Sequence, residues 1–180
     1  MTRKKRTVAV RINTERYGFP LPFSPSFSKA DAEAFAEFDP DEAEEAEERE
    51  EPEESAEEPE RSEFFAEGKL VETAERVEIV YEESVATGME GSVTTIGFAK
   101  EDPGLVTMFR KGLVSTAFVF EKGVRHICVY NTPFSAFELC VQAINVCNRL
   151  TADGIIELDY ITELHGARAE RCKMTIRVDG

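Results

Sequence analysis

Apolar and polar residues alternate along most of this chain with a period of two, as strands with one buried face require. In Thr7 to Ile12, TVAVRI, the residues Val8, Val10 and Ile12 fall on one side and Thr7, Ala9 and Arg11 on the other. That predicts a first strand over 7–12. The alternation resumes at Glu63. EFFAEGKLVE and ERVEIVYEES read as two antiparallel strands joined near Thr73 to Glu75, and SVTTIGFA, LVTMFR, LVSTAFVFE, VRHICVY, FSAFELCVQAINV, IIELDYITEL and RAERCKMTIRV follow. In the longer runs the faces separate cleanly. Phe137, Leu139, Val141 and Ala143 oppose Glu138, Cys140 and Gln142, and Ile156, Leu158, Tyr160 and Leu164 oppose Glu157, Asp159 and Glu163. Turn signals punctuate the runs at Asp102-Pro103-Gly104, Lys111-Gly112, Lys122-Gly123, Thr132-Pro133, Asp153-Gly154 and His165-Gly166. Their spacing over much of this part, about 8–12 residues, belongs to all-β sandwiches and barrels. The expected fold is all-β, a single antiparallel β-barrel of about 8–10 strands wired as a meander, because closure removes exposed sheet edges.

One stretch breaks the pattern. Tyr17 to Phe27, YGFPLPFSPSF, interleaves three prolines with aromatics and cannot run through a sheet centre, since each Pro lacks a ladder donor. The segment from Asp31 to Glu63 then carries 18 acidic and 2 basic residues and almost nothing to bury. Ordering such a segment costs ~1–2 kcal/mol per residue with no apolar area to offset it. Residues 13–62 are therefore read as a loop insertion, with 31–63 a disordered acidic insertion. The chain is one domain over 1–180, with a strand at 7–12 and a core over 63–178.

The charge balance follows this division. The formal net charge is −15, yet outside the acidic segment the chain is close to neutral. The body has no basic surplus, and the insertion would repel phosphates, which argues against nucleic-acid binding. No apolar run approaches the ~18 residues of a membrane span, and MTRKKR is not followed by the apolar region of a secretory signal. Cys128, Cys140, Cys147 and Cys172 form no CxxC pair, and His126 and His165 are the only histidines. Zinc, any other metal and any cofactor are therefore not expected, and the cysteines read as small buried residues of a reducing, cytoplasmic protein. The chain contains no phosphate-binding loop, dinucleotide fingerprint or nucleophile elbow.

Three groups of residues in order carry a resemblance: Tyr81-Glu82-Glu83-Ser84 with Thr87-Gly88 and Gly91, then Arg110 with Gly112, then Gly123-Val124-Arg125-His126 leading to Tyr130-Asn131-Thr132-Pro133. Together they resemble the YwiB-like family of bacterial proteins, a domain of unknown function. The resemblance runs from about Glu63 to Val178, with the 7–12 strand as the family N-terminus. It implies a lipocalin-like, calycin-type barrel and no activity, and fold alone licenses none. Asn131 stands where the resemblance leads one to expect Asp, and Phe134-Ser135 where it leads one to expect Tyr-Gly. The resemblance does not extend to a role that needs that Tyr hydroxyl or Gly backbone. The acidic insertion is a further departure.

The candidate site residues are Tyr81, Glu83, Arg110, Arg125, His126 and Tyr130. If Tyr81 faces inward with Val77 and Ile79, so does Glu83, where Arg110 or Arg125 would form an ion pair with it. Arginine suits bidentate capture of carboxylate or phosphate, and two at one barrel opening would favour an anionic ligand. His126, Cys128 and Tyr130 share a face; a strand His can serve as general base or haem ligand, but is more often a hydrogen-bonded rim residue. No catalytic residue is assigned. The leading reading is a non-enzymatic binding module for a small apolar or anionic molecule held in the barrel. Two alternatives stand beside it: a solid-core barrel that docks a protein, such as a basic partner drawn to the acidic insertion, and an enzyme using Glu83 or His126 as general acid or base, which requires the two to converge in one cleft.

Overall fold

The computed structural model of the 180-residue chain describes residues 3–18, 58–87, 89–133, 136–164 and 167–180. Ten strands account for most of them: β1 (Lys4–Gly18), β2 (Glu60–Glu72), β3 (Arg76–Glu82), β4 (Val93–Ala99), β5 (Asp102–Lys111), β6 (Thr116–Phe120), β7 (Arg125–Asn131), β8 (Ala136–Arg149), β9 (Ile155–Leu164) and β10 (Ala167–Asp179). They form one sheet in the order β6-β5-β4-β3-β2-β1-β10-β9-β8-β7. Apart from β1 with β10, neighbours in the sheet are neighbours in sequence, so the meander wiring expected from the short turns is the one adopted. The first and last strands pair from Ala9 opposite Asp179 to Gly18 opposite Glu170.

The sheet curls until its ends, β6 and β7, meet. There Ser115 and Asn131 exchange backbone hydrogen bonds of 3.0 and 2.8 Å, and the Gly123 N–H donates to the Ala143 carbonyl at 2.8 Å. The result is a nearly closed antiparallel barrel with a seam between β6 and β7. Helical structure among the described residues is limited to a 3-10 turn at Val85–Thr87 and one α-turn, α1 (Leu150–Asp153).

Three boundaries differ from the sequence expectation. β1 runs from Lys4 to Gly18 rather than over 7–12, because a long partner strand on either side gives its polar residues a ladder to join. β2 begins at Glu60, inside the segment assigned to the insertion, pairing with Arg16. β5 begins at Asp102, so Lys100 and Glu101 make the turn; Pro103 is tolerated beside the irregular end of the β4–β5 ladder. The rest of the expected loop insertion, residues 19–57 with most of the acidic segment, lies outside the described residues.

The core lies inside the barrel. Val10, Ile79, Ile96, Val106, Phe120, Ile156 and Ile176 are all at most 1% exposed and come from seven different strands. Polar positions between them, such as Glu157 and Lys173, face outward, as the period of two demands.

Candidate functional site

The inner faces change character along the barrel. On strand after strand an apolar residue gives way to a polar one toward the same end: Ile12 to Thr14 and Arg16 on β1, Ile79 to Tyr81 and Glu83 at the end of β3, Ile96 to Thr94 on β4, and Met108 to Arg110 on β5. The same holds for Phe118 to Thr116 on β6, Leu158 to Tyr160 and Thr162 on β9, and Met174 to Cys172 and Glu170 on β10. The ladder registers put these positions side by side. Tyr81 lies opposite Thr94, Thr94 opposite Arg110, and Arg110 opposite Thr116. Across the other half, Arg16 lies opposite Cys172 and Cys172 opposite Tyr160. One end of the lumen carries this polar cluster, bordered on β8 and β9 by the buried Leu139, Val141 and Leu164.

Glu83 anchors the first half of the polar end. Its own N–H donates to the Ser92 carbonyl at 2.8 Å, which fixes it just past β3. Its Oε1 accepts from Thr94 Oγ1 at 2.5 Å and from Arg110 Nε at 3.2 Å, with Arg110 Nη2 also 3.2 Å away. Arg110 Nε lies 3.1 Å from Thr94 Oγ1 as well. The side chains of Glu83 and Arg110 are only 2% and 9% exposed, so this is a desolvated ion pair rather than a rim salt bridge. Burial works against the Arg110 charge, but the Glu83 carboxylate together with Tyr81, Tyr130 and Tyr160 raises its pKa on balance. Burial and the Glu83 charge push the Tyr81 phenol far above its usual range. Burial pushes Tyr130 up to about 12, partly offset by Arg110, which also hydrogen-bonds it.

The corner between β3 and β4 covers this cluster. The Tyr130 hydroxyl donates to Met89 Sδ at 3.8 Å, and Met89 is itself buried. Ser92 Oγ accepts from the Val114 N–H at 3.1 Å, tying the corner to the β5–β6 turn. Gly112 sits at the contact with φ 150°, and a Cβ there would collide with the Gly91 carbonyl and approach Ser92 Cα to 2.6 Å.

The second half of the polar end is built on Arg16. Its Nε lies 3.3 Å from Glu170 Oε1, and its Nη1 lies 3.9 Å from Glu60 Oε2. Glu170 is 7% exposed, and its Oε1 has no hydrogen bond among the described residues. Burial pushes its carboxyl up to about 7, with Arg16 pulling the other way and Glu60 adding to the rise. Tyr160 is pushed well above its ordinary value by burial, and Cys172 up to about 11 for the same reason. The halves lie near enough that Arg110 and Arg16 both lower the pKa of Tyr130 against the effect of burial.

Tyr81, Glu83, Arg110 and Tyr130 therefore meet inside the barrel. Arg125 does not join them. It sits on the outer face of β7, pairs with Glu163 and donates from Nε to Cys140 Sγ at 3.4 Å, so the two arginines do not share an opening. His126 shares the inner face of β7 with Cys128 and Tyr130 but bonds Glu121 at 3.2 Å. Glu121 follows the far end of β6 from Thr116, roughly 15 Å along the strand from the Glu83–Arg110 pair. Arg16, Thr94, Tyr160, Glu170 and Cys172 belong to the site without having been singled out from the sequence. Among the described residues no group of three or more His, Cys, Asp or Glu is placed to hold a metal, and no helix is long and apolar enough to cross a membrane. A surface cavity of about 260 Å³, lined by residues including Ala9, Arg11, Phe65 and Asp179, lies outside the barrel wall and touches none of this cluster.

A sequence profile for the family described as "Domain of unknown function (DUF1934)" matches residues 48–176, well over half of the chain. No curated protein matches the chain. Among solved structures, the crystal structure of the ywiB protein from Bacillus subtilis is similar at 17% identity and a TM-score of 0.65, over 98% of this chain and 92% of that one. At that identity the likeness carries the fold.

Proposed function

The chain belongs to the DUF1934 family, a domain of unknown function, and from that premise we propose that it is a non-enzymatic binding module whose barrel takes a small amphipathic anion. The observation that carries this reading is the polar end of an otherwise apolar lumen. Removing the Glu83–Arg110 pair and the Glu170 carboxylate from water costs several kcal/mol per charge, and an apolar filling of the same volume would hold a barrel together at least as well. Buried, perturbed charges in a concave interior are the usual mark of a site. Two arginines and two tyrosine hydroxyls would face the head of the guest, and the apolar half of the lumen its body. Met89, Met108 and Met174, pliable side chains in or against the core, would yield to it.

The test is titration of the full chain with 1-anilinonaphthalene-8-sulfonate, an amphipathic anion that fluoresces in apolar surroundings. Wild type binds one equivalent saturably, and E83Q/R110M binds at least tenfold more weakly. Absence of saturable binding, or equal affinity in the variant, sinks the proposal.

The outer surface gives some support to a protein-interaction module. Phe109, Ile127 and Val129 are 46%, 72% and 51% exposed, the first on the outer face of β5 and the other two on that of β7, a strand at the seam. A partner seated there would be lost in Ile127→Lys while binding of the fluorescent anion persisted. The suggested basic partner of the acidic insertion concerns residues outside those described. The enzyme reading needs Glu83 and His126 in one cleft, and their separation along β6 leaves it without support. The four cysteines are free, as a reducing cytoplasm would keep them.

A further inference from the structure

We infer that the polar end of the barrel takes up its anion together with a proton, and that Glu170 carries the proton. The inference rests on the reading of the lumen as an anion site and adds how that site is regulated.

The two buried carboxylates differ. Glu83 Oε1 is saturated by Thr94 and the Arg110 guanidinium. Glu170 Oε1 is just as deeply buried and has Arg16 Nε at 3.3 Å, yet the contact lacks hydrogen-bond geometry. The groups facing it are Arg16 from β1, Glu60 from β2, Tyr160 and Thr162 from β9, and Cys172 from its own strand. Thr162 Oγ1 donates to the Glu170 backbone carbonyl, not to its carboxyl. Arg16 thus stands between two carboxylates, and among the described residues the buried Glu170 Oε1 is left without a donor.

An incoming anion meets a lumen whose arginines are already matched by carboxylates. Adding one negative charge to that desolvated space is unfavourable unless a carboxylate is neutralised. Protonation of Glu170 does this. A proton from water joins the carboxylate, the neutral acid becomes a donor, and the Arg16 guanidinium turns its charge to the guest. Anion and proton enter together, so the net charge of the lumen is unchanged. Burial has already moved the Glu170 carboxyl up to about 7, which places the coupling near neutral pH.

The experiment measures affinity for 1-anilinonaphthalene-8-sulfonate from about pH 5.5 to 8.5 in wild type and in E170Q at constant ionic strength. The sulfonate stays ionised throughout, so any pH dependence belongs to the protein. Wild-type affinity is expected to be level at low pH and to fall roughly tenfold per pH unit above neutrality, while the E170Q profile loses that slope. Calorimetry of wild type in two buffers of different ionisation enthalpy supplies a readout that needs no variant. Uptake of about one proton per anion bound on the alkaline side supports the coupling, and none overturns it. A flat wild-type profile, or an E170Q profile parallel to it, overturns the coupling while leaving the anion site standing. No binding at any pH overturns the anion site as well.

Discussion

Removing Arg110 alone should be among the costliest single changes in this barrel. In Arg110→Met the Glu83 carboxylate, 2% exposed, keeps Thr94 as its donor but loses the guanidinium that neutralises it. Breaking a buried ion pair from one side costs on the order of 3–5 kcal/mol, because the remaining charge stays buried and uncompensated. Replacing both partners, as in E83Q/R110M, removes that charge and is expected to fall within about 1–2 kcal/mol of wild type. The coupling between the two positions should therefore be about 3 kcal/mol and favourable. Urea denaturation followed by tyrosine fluorescence suits the measurement. The chain has no Trp, and three of its four tyrosines, Tyr81, Tyr130 and Tyr160, lie in the cluster. The slope of free energy against urea should stay constant across the set, which would show that the denatured states are comparable. An Arg110→Met cost below about 1 kcal/mol, or a double variant as unstable as the sum of its singles, would refute the idea that the pair is desolvated and mutually dependent.

Three other outcomes follow from the same geometry. Glu170 has an ordinary value of 4.5 and a folded value of about 7, so the folded chain holds this proton where the unfolded chain has lost it; its contribution makes stability fall as pH rises through that window, by up to about 1.4 kcal/mol per unit, and a pH series of unfolding curves should lose that slope in E170Q. Gly112→Ala forces a Cβ against the Gly91 backbone at a φ that disfavours side chains, and thermal unfolding should show a loss on the order of 2–3 kcal/mol. Arg125→Ala removes an arginine that points to solvent on the outer wall; fluorescence titration should give an unchanged affinity for the anion, and a clear loss would mean the outer face takes part.

The fold was largely legible because alternation is a local signal. Val77, Ile79 and Tyr81 on one parity already point Glu83 inward, and the same reasoning separates Phe137, Leu139, Val141 and Ala143 from their polar neighbours. The polar end was legible only in part. Arg16 was missed because the strand reading stopped at Ile12, although Thr14 and Arg16 continue the same parity. An inward polar residue looks like the end of a strand when the buried face is assumed to be apolar. Glu170 was hidden by its charged surroundings in RAERCKM, and Thr94 looked like any strand threonine. What made them a site was register across strands distant in sequence, such as Arg16 opposite Cys172, and register is not written in any one segment. Arg125 shows the converse: its chemistry suited an anion site, but its parity is opposite to that of His126 and Tyr130, which places it on the outer face.

The most direct test of the account is an NMR titration that watches the arginine Nε–H signals as 1-anilinonaphthalene-8-sulfonate is added. Arg110→Lys and Arg16→Lys assign the two interior signals. The account predicts that both shift and saturate at one equivalent, while the backbone amides of Ile127 and Val129 stay in place. Interior arginine signals that do not move, with shifts confined to the outer face of β7, would contradict a polar end of the lumen that binds anions and would move the function to the surface.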